Sequence, residues 1–106
     1  MSTPQTDRVF HALADATRRD IVRTVLVEAR SVSALARRYP MSFAAVQKHV
    51  AVLEEAGLVS KQRHGRESLV RGDINRVRDA RDALDALELL WRDRVAQMDR
   101  ILAEDP

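Results

Sequence analysis

Ser42-Phe43-Ala44-Ala45-Val46-Gln47-Lys48-His49-Val50-Ala51-Val52-Leu53-Glu54-Glu55-Ala56-Gly57-Leu58-Val59 is the stretch that decides the fold. Val46, Val50 and Leu53 recur at i, i+4 and i+7, which puts them on one helical face and leaves Gln47 and Lys48 on another. Ser42 stands where an N-cap hydroxyl belongs, so a helix is expected over residues 43–56. Gly57 supplies the left-handed residue that ends such helices. Just upstream, Pro40 bars the helical region to the residue before it. A short helix is therefore expected to start from a cap at Ser31 or Ser33 and to stop near Tyr39, with Leu35 inward and Arg37 and Arg38 outward. A short helix, a tight break and a longer helix have the proportions of a helix-turn-helix over residues 31–56.

Working outward, residues 58–63 and 66–71 are two strand-length pieces either side of His64-Gly65. They predict a β-hairpin over residues 58–71 whose tip carries Arg63, His64 and Arg66. A basic hairpin directly after a helix-turn-helix is a wing. Toward the N-terminus, Val9, Phe10, Leu13 and Ala14 share a helical face over about residues 7–14. Asp15 can cap a second helix, residues 16–29, whose buried stripe is Ile21, Val22, Val25, Leu26 and Ala29. Arg18 and Arg19 fall in its first turn, where the helix dipole disfavours cations. Either they bind phosphate or they pair with an acidic group such as Asp15 or Asp20.

Residues 73–103 contain no proline or glycine. Val77, Ala80, Leu84, Leu87, Trp91, Val95, Met98 and Leu102 follow one another at steps of three and four, nearly a heptad seam. A helix of that length reaches about 45 Å, more than so small a domain covers. Its stripe calls for a partner, and the same helix of a second subunit suits it. A break near residues 73–78 is left open. The expected fold class is mainly α with a small β-hairpin, a winged helix-turn-helix with a long C-terminal dimerisation helix. All 106 residues are expected to form one domain.

Charge is unevenly placed. Residues 30–72 carry eight Lys/Arg against three Glu, whereas residues 1–29 are neutral and residues 73–106 are net −3. A basic middle suits a surface that meets phosphates. The chain has no cysteine and three dispersed histidines, which removes thiolate chemistry and leaves no metal-ligand spacing. No nucleophile–base pair, glycine-rich phosphate loop or paired carboxylate stands out, so neither an enzyme nor a cofactor is expected. His49 reads as a structural residue, and Asp79, Asp82, Asp85 and Glu88, interspersed with Arg76, Arg78 and Arg81, as solvated ion pairs. The N-terminus lacks the basic start and apolar run of a secretory signal, and no apolar run is long enough for a membrane span, so the chain reads as cytoplasmic.

Two stretches resemble the ArsR/SmtB family of bacterial winged-helix repressors. The first is Phe10-His11-Ala12-Leu13-Ala14-Asp15-Ala16-Thr17-Arg18-Arg19-Asp20-Ile21; the second is Ser42–Val50 continued by Leu53-Glu54-Glu55-Ala56-Gly57-Leu58-Val59. Two departures matter. Gln47 stands where the family usually has serine. The family's helical thiolate pair would fall near residues 33–37, which read Ser-Ala-Leu-Ala-Arg, and the last helix has no histidine, so the resemblance is to a metal-independent branch.

The resemblance implies a homodimeric, sequence-specific repressor of transcription on a pseudo-palindromic double-stranded operator. Ser42, Phe43, Ala44, Gln47 and Lys48 would face the major groove, Arg37 and Arg38 the backbone, and Arg63, His64 and Arg66 the backbone or minor groove. Val9, Leu84, Leu87, Trp91, Val95, Met98 and Leu102 would form the dimer interface through the first and last helices. An effector, small molecule or protein, is not named by the sequence. The competing reading is a winged-helix protein-interaction module, against which the net +5 of residues 30–72 counts.

Overall fold

The computed structural model describes residues 3–104. The chain opens with α1, Pro4–Leu13. It starts before Asp7 because Thr3 caps it, accepting from the Thr6 amide at 3.1 Å, and Pro4 sits in the first turn, where its missing N–H costs nothing. Helix α2 runs Ala16–Val27 with Asp15 as N-cap, its carboxylate accepting from the Arg18 amide at 3.0 Å.

Helix α2 ends short of residue 29 because the next residues are drawn into a sheet. Arg30–Ser31 form β1, too short to show any alternation in the sequence. Ser31 then caps the short helix α3, Val32–Ala36. That helix gives out before Tyr39. With residue 39 held out of the helical region by Pro40, the chain leaves in i−3 turns, Arg38 N–H to Leu35 and Tyr39 N–H to Ala36.

Helix α4 spans Phe43–Glu55, with the Ser42 hydroxyl accepting from the Ala45 amide at 3.1 Å. It closes in a Schellman motif: the Leu58 amide donates to Leu53, the Gly57 amide to Glu54, and Gly57 has φ +80°. Gln5 of α1 adds a bond to the Ala56 carbonyl at 2.6 Å, so the first helix fixes the C-terminal end of the fourth.

The wing is β2, Val59–His64, paired antiparallel with β3, Glu67–Gly72, in the register Val59↔Gly72 to His64↔Glu67. The turn is therefore Gly65-Arg66, one residue later than His64-Gly65. Gly65 takes φ +65° while Arg66 keeps a negative φ, the requirement of a type II′ turn with glycine at its first central position. Strand β1 pairs with β3 through Arg30↔Val70 and Ser31↔Leu69, giving the order β1-β3-β2.

Side chains from every helix meet in one core: Val9, Ile21, Val25, Leu35, Val46, Val50, Leu53, Leu58, Val70 and Ala80 are all buried. Val9 is fully enclosed in this core, so it is not available to a dimer interface. On α1 it faces inward with Ala12, and Phe10 is the residue that turns toward the last helix.

Helix α5 is unbroken from Ile74 to Glu104; an Asx turn, Asp73 Oδ1 accepting from the Asn75 amide, leads into it. Only its first turns touch the body. Ala80 is buried, Val77 packs against the core, and from Leu84 to Glu104 every residue is exposed. That overhang is about 30 Å of bare helix. It raises the radius of gyration to 19.3 Å, against about 13 Å for a compact domain of this length.

Candidate nucleic-acid interface

The helix-turn-helix is held by a bracket behind it. Arg18 Nε donates to the Ala12 carbonyl at 2.7 Å and Nη2 to the His11 carbonyl at 3.1 Å. Arg19 Nη1 donates to the Leu13 carbonyl at 2.8 Å. These carbonyls belong to the C-terminal end of α1, where the helix leaves acceptors unpaired and cations are favoured. The awkward placement of two arginines in the first turn of α2 is thus resolved by the end of the helix before it. Arg18 Nη1 also lies 3.3 Å from His49 Nδ1, which ties this bracket to α4 and gives His49 a structural partner.

A second brace fixes α3. The Tyr39 hydroxyl donates to Asp20 at 2.6 Å, and Arg38 Nη2 lies 3.7 Å from the same carboxylate. Burial and the bond to Asp20 push the Tyr39 phenol above its ordinary value. Arg38 is therefore partly engaged inside the protomer, while Arg37, the C-cap residue of α3, is exposed.

On α4 the buried line Val46, Val50 and Leu53 leaves Ala44, Lys48 and Ala51 outermost, with Phe43 and Gln47 one turn apart on the flank nearer the wing. Ser42 spends its hydroxyl oxygen on the helix cap. Between that flank and the wing is a hollow of about 200 Å³ bordered by Phe43, Gln47, Lys61, Arg63, Arg66 and Ser68, with Glu67 its one carboxylate.

Strand alternation brings Lys61, Arg63 and Ser68 to it, and Glu67, beside the turn, reaches it from the other face. Lys61 and Arg63 lie on the face that begins with buried Val59, and His64, one residue on, lies on the other face. The tip cluster Arg63, His64 and Arg66 is thus split between two faces. Lys61 and Ser68, absent from the expected set, join through the same alternation; counting by twos from Val59 and Val70 would have found both.

Arg66 has no ion-pair partner among the described residues, Arg63 donates only to the Gly65 carbonyl at 3.1 Å, and Lys61 is 3.9 Å from Glu54. A solvated, basic wall facing an exposed helix flank suits a phosphodiester strand. On α5 the charged residues pair locally, Arg76 with Asp79 at 2.8 Å and Arg92 with Glu88 at 2.6 Å.

Residues 13–62 match the model of a helix-turn-helix domain. The chain is 38% identical over 79 residues to the HTH-type transcriptional regulator Rv2034 of Mycobacterium tuberculosis, covering 74% of each chain. Its fold matches that of an ArsR-like transcriptional regulator from Rhodococcus sp. RHA1, at 32% identity and TM-score 0.79 over 92% of both chains. The chain belongs to the ArsR family.

This ArsR-family chain also resembles the homodimeric winged helix-turn-helix DNA-binding domain of a possible ArsR-family regulator from Mycobacterium bovis, at 28% identity and TM-score 0.64, over 84% of this chain and 79% of that one. It is a transcriptional regulator with a helix-turn-helix DNA-binding domain, and its relatives are regulators rather than enzymes.

Proposed function

We propose that the protein is a homodimeric repressor that binds a pseudo-palindromic operator, with α4 of each subunit in a major groove and each wing on the adjoining backbone. The observation that carries this reading is the stripe Leu84, Leu87, Trp91, Val95, Met98 and Leu102. It continues the face that Val77 and Ala80 bury against the body, and it is exposed throughout. An apolar face of that length on a protruding helix is unfavourable in water unless another surface covers it.

Beside its root, between α1 and α5, lies an open cleft of about 740 Å³ bordered by Thr6, Phe10, Ala83, Leu84, Leu87 and Leu90, which suits a partner helix. The homodimeric state of the M. bovis domain supports the same arrangement. Two-fold pairing sets two recognition helices on one side of the dimer, which matches half-sites about one helical turn apart.

In this reading all 106 residues act as one unit, with residues 31–56 reading DNA, 58–71 as the wing and 73–103 pairing the subunits. The contact set is Arg37, Arg38, Ser42, Phe43, Ala44, Gln47, Lys48, Arg63, His64 and Arg66, with Arg38 shared with Asp20. Repression asks only that the bound dimer occlude promoter DNA, and it takes place in the cytoplasm, where that DNA lies. An effector, small molecule or protein, would release it by changing the subunit arrangement.

The test is binding of the purified protein to its own upstream DNA and to scrambled DNA across a salt series, with stoichiometry from sedimentation. Tight, salt-dependent preference for the upstream fragment, at two chains per site, supports the reading. Equal weak binding to both fragments overturns it.

A further inference from the structure

We propose that each operator half-site contains a thymine whose 5-methyl group packs on the ring of Phe43; this rests on the DNA-binding reading above. The ring of Phe43 is 48% exposed at the first position of α4, although phenylalanine gains from burial. Its surroundings explain what it is exposed to. The hollow that it borders is mixed but net basic: Val32 and Val50 are apolar, Gln47 lies one turn along the helix, and from the wing Lys61, Arg63, Arg66 and Ser68 face them together with one carboxylate, Glu67. A ligand that fits has to bring anionic oxygen to one wall and apolar surface to the other.

A DNA strand lying between recognition helix and wing does both only where it carries thymine. In the major groove thymine is the one standard base that presents a methyl group, and aromatic and aliphatic side chains pack against it. That methyl stands on the side of the base nearest its own sugar–phosphate. An aromatic side chain that shares a hollow with phosphate-facing arginines and a base-reading glutamine is therefore well placed to meet it. In this arrangement Arg63 and Arg66 on the wing would meet the backbone, while Phe43 and Gln47, one turn apart on the facing flank of α4, would meet the methyl and the base edge. Glutamine pairs with the N6/N7 edge of adenine. One helical turn separates Gln47 from Phe43, a rise of about 5.4 Å, which places the thymine about one or two base steps from that adenine.

The experiment uses the upstream fragment that the full chain prefers, remade with deoxyuridine in place of thymidine at one half-site position at a time. Uracil keeps the base-pairing edge and loses only the methyl. At one symmetry-related pair of positions the wild-type protein is expected to lose about fourfold in affinity per half-site, the worth of one buried methyl. Phe43→Ala, at a half-exposed site, is expected to fold normally by circular dichroism and to bind the thymine and uracil fragments equally.

Uniform affinity of the wild type across all uracil positions overturns the inference while leaving the regulator reading intact. Undiminished discrimination by Phe43→Ala also overturns it, because another group then reads the methyl. Absence of any preference for the upstream fragment removes the DNA-binding reading and this inference together.

Discussion

The guanidinium of Arg18 joins three segments: it donates to the His11 and Ala12 carbonyls at the end of α1 and stands 3.3 Å from His49 Nδ1 on the recognition helix. One side chain of α2 thereby sets where α1 stops and holds α4 from behind. The bonds need a planar fork with several donors, which lysine lacks.

Arg18→Ala is accordingly expected to cost about 1–3 kcal/mol, the range for losing charge-assisted hydrogen bonds and leaving their acceptors unpaired. Arg18→Lys is expected to recover little of it. Chemical denaturation of both variants checks this, and a midpoint unchanged from wild type in Arg18→Ala would show that the bracket is dispensable.

Asp15 caps α2, and the bond from the Arg18 amide, helped by the nearby His49 and Arg18 charges, holds its carboxyl below the ordinary value of 3.8 against an opposing desolvation. The sign follows from linkage: a carboxyl with a depressed value in the folded state contributes stability that is complete above the unfolded value and is lost as pH falls through the folded one. Asp15→Asn keeps a capping oxygen and removes the proton site. Its unfolding midpoint is expected to vary less than that of wild type below pH 3.8, and parallel acid limbs would assign the pH dependence elsewhere.

Much of this architecture is legible in the chain because each helix start has a capping hydroxyl or carboxylate, as at Asp15 and Ser42, and each core face repeats at helical spacing. What escaped reading had no local signal. Strand β1 is two residues long, and its pairing with Val70 and Leu69 is a tertiary fact. The partner of Asp20 is Tyr39, nineteen residues on, across a helix boundary. Val9 and Phe10 are both apolar and adjacent, so periodicity alone could not say which enters the core and which faces α5. In the wing, alternation from Val59 sets Lys61 beside Arg63 and turns His64 to the other face, a sorting that the tip cluster, chosen by its nearness to Gly65, did not carry.

Gln47 and Arg66 border the same hollow and separate two kinds of contact. Gln47→Ala is expected to cost about 1–3 kcal/mol on the preferred site and to relax preference at one position, whereas Arg66→Ala weakens binding to all sequences and lowers the salt slope by about 1. Competition assays on a randomised half-site and titrations at several salt concentrations distinguish them. A Gln47→Ala site profile identical to wild type removes that residue from base reading.

Leu87 and Leu89 are both large, apolar and exposed, at 64% and 59%, yet two residues on a helix are about 200° apart and cannot share one partner surface. Leu87 lies on the stripe that runs from the buried Ala80 to Leu102, and Leu89 lies on the far side. Leu87→Glu would place two carboxylates in the apolar seam of a two-fold pair, a burial that costs several kcal/mol per charge. It is expected to sediment as a folded monomer, because Leu87 is no part of the protomer's own buried core, and to bind operator at no more than half-site affinity. Leu89→Glu is expected to remain a dimer. If Leu87→Glu still sediments as a dimer, or if Leu89→Glu dissociates equally well, the subunits pair through some other surface, and the two recognition helices lose the spacing that a pseudo-palindrome demands.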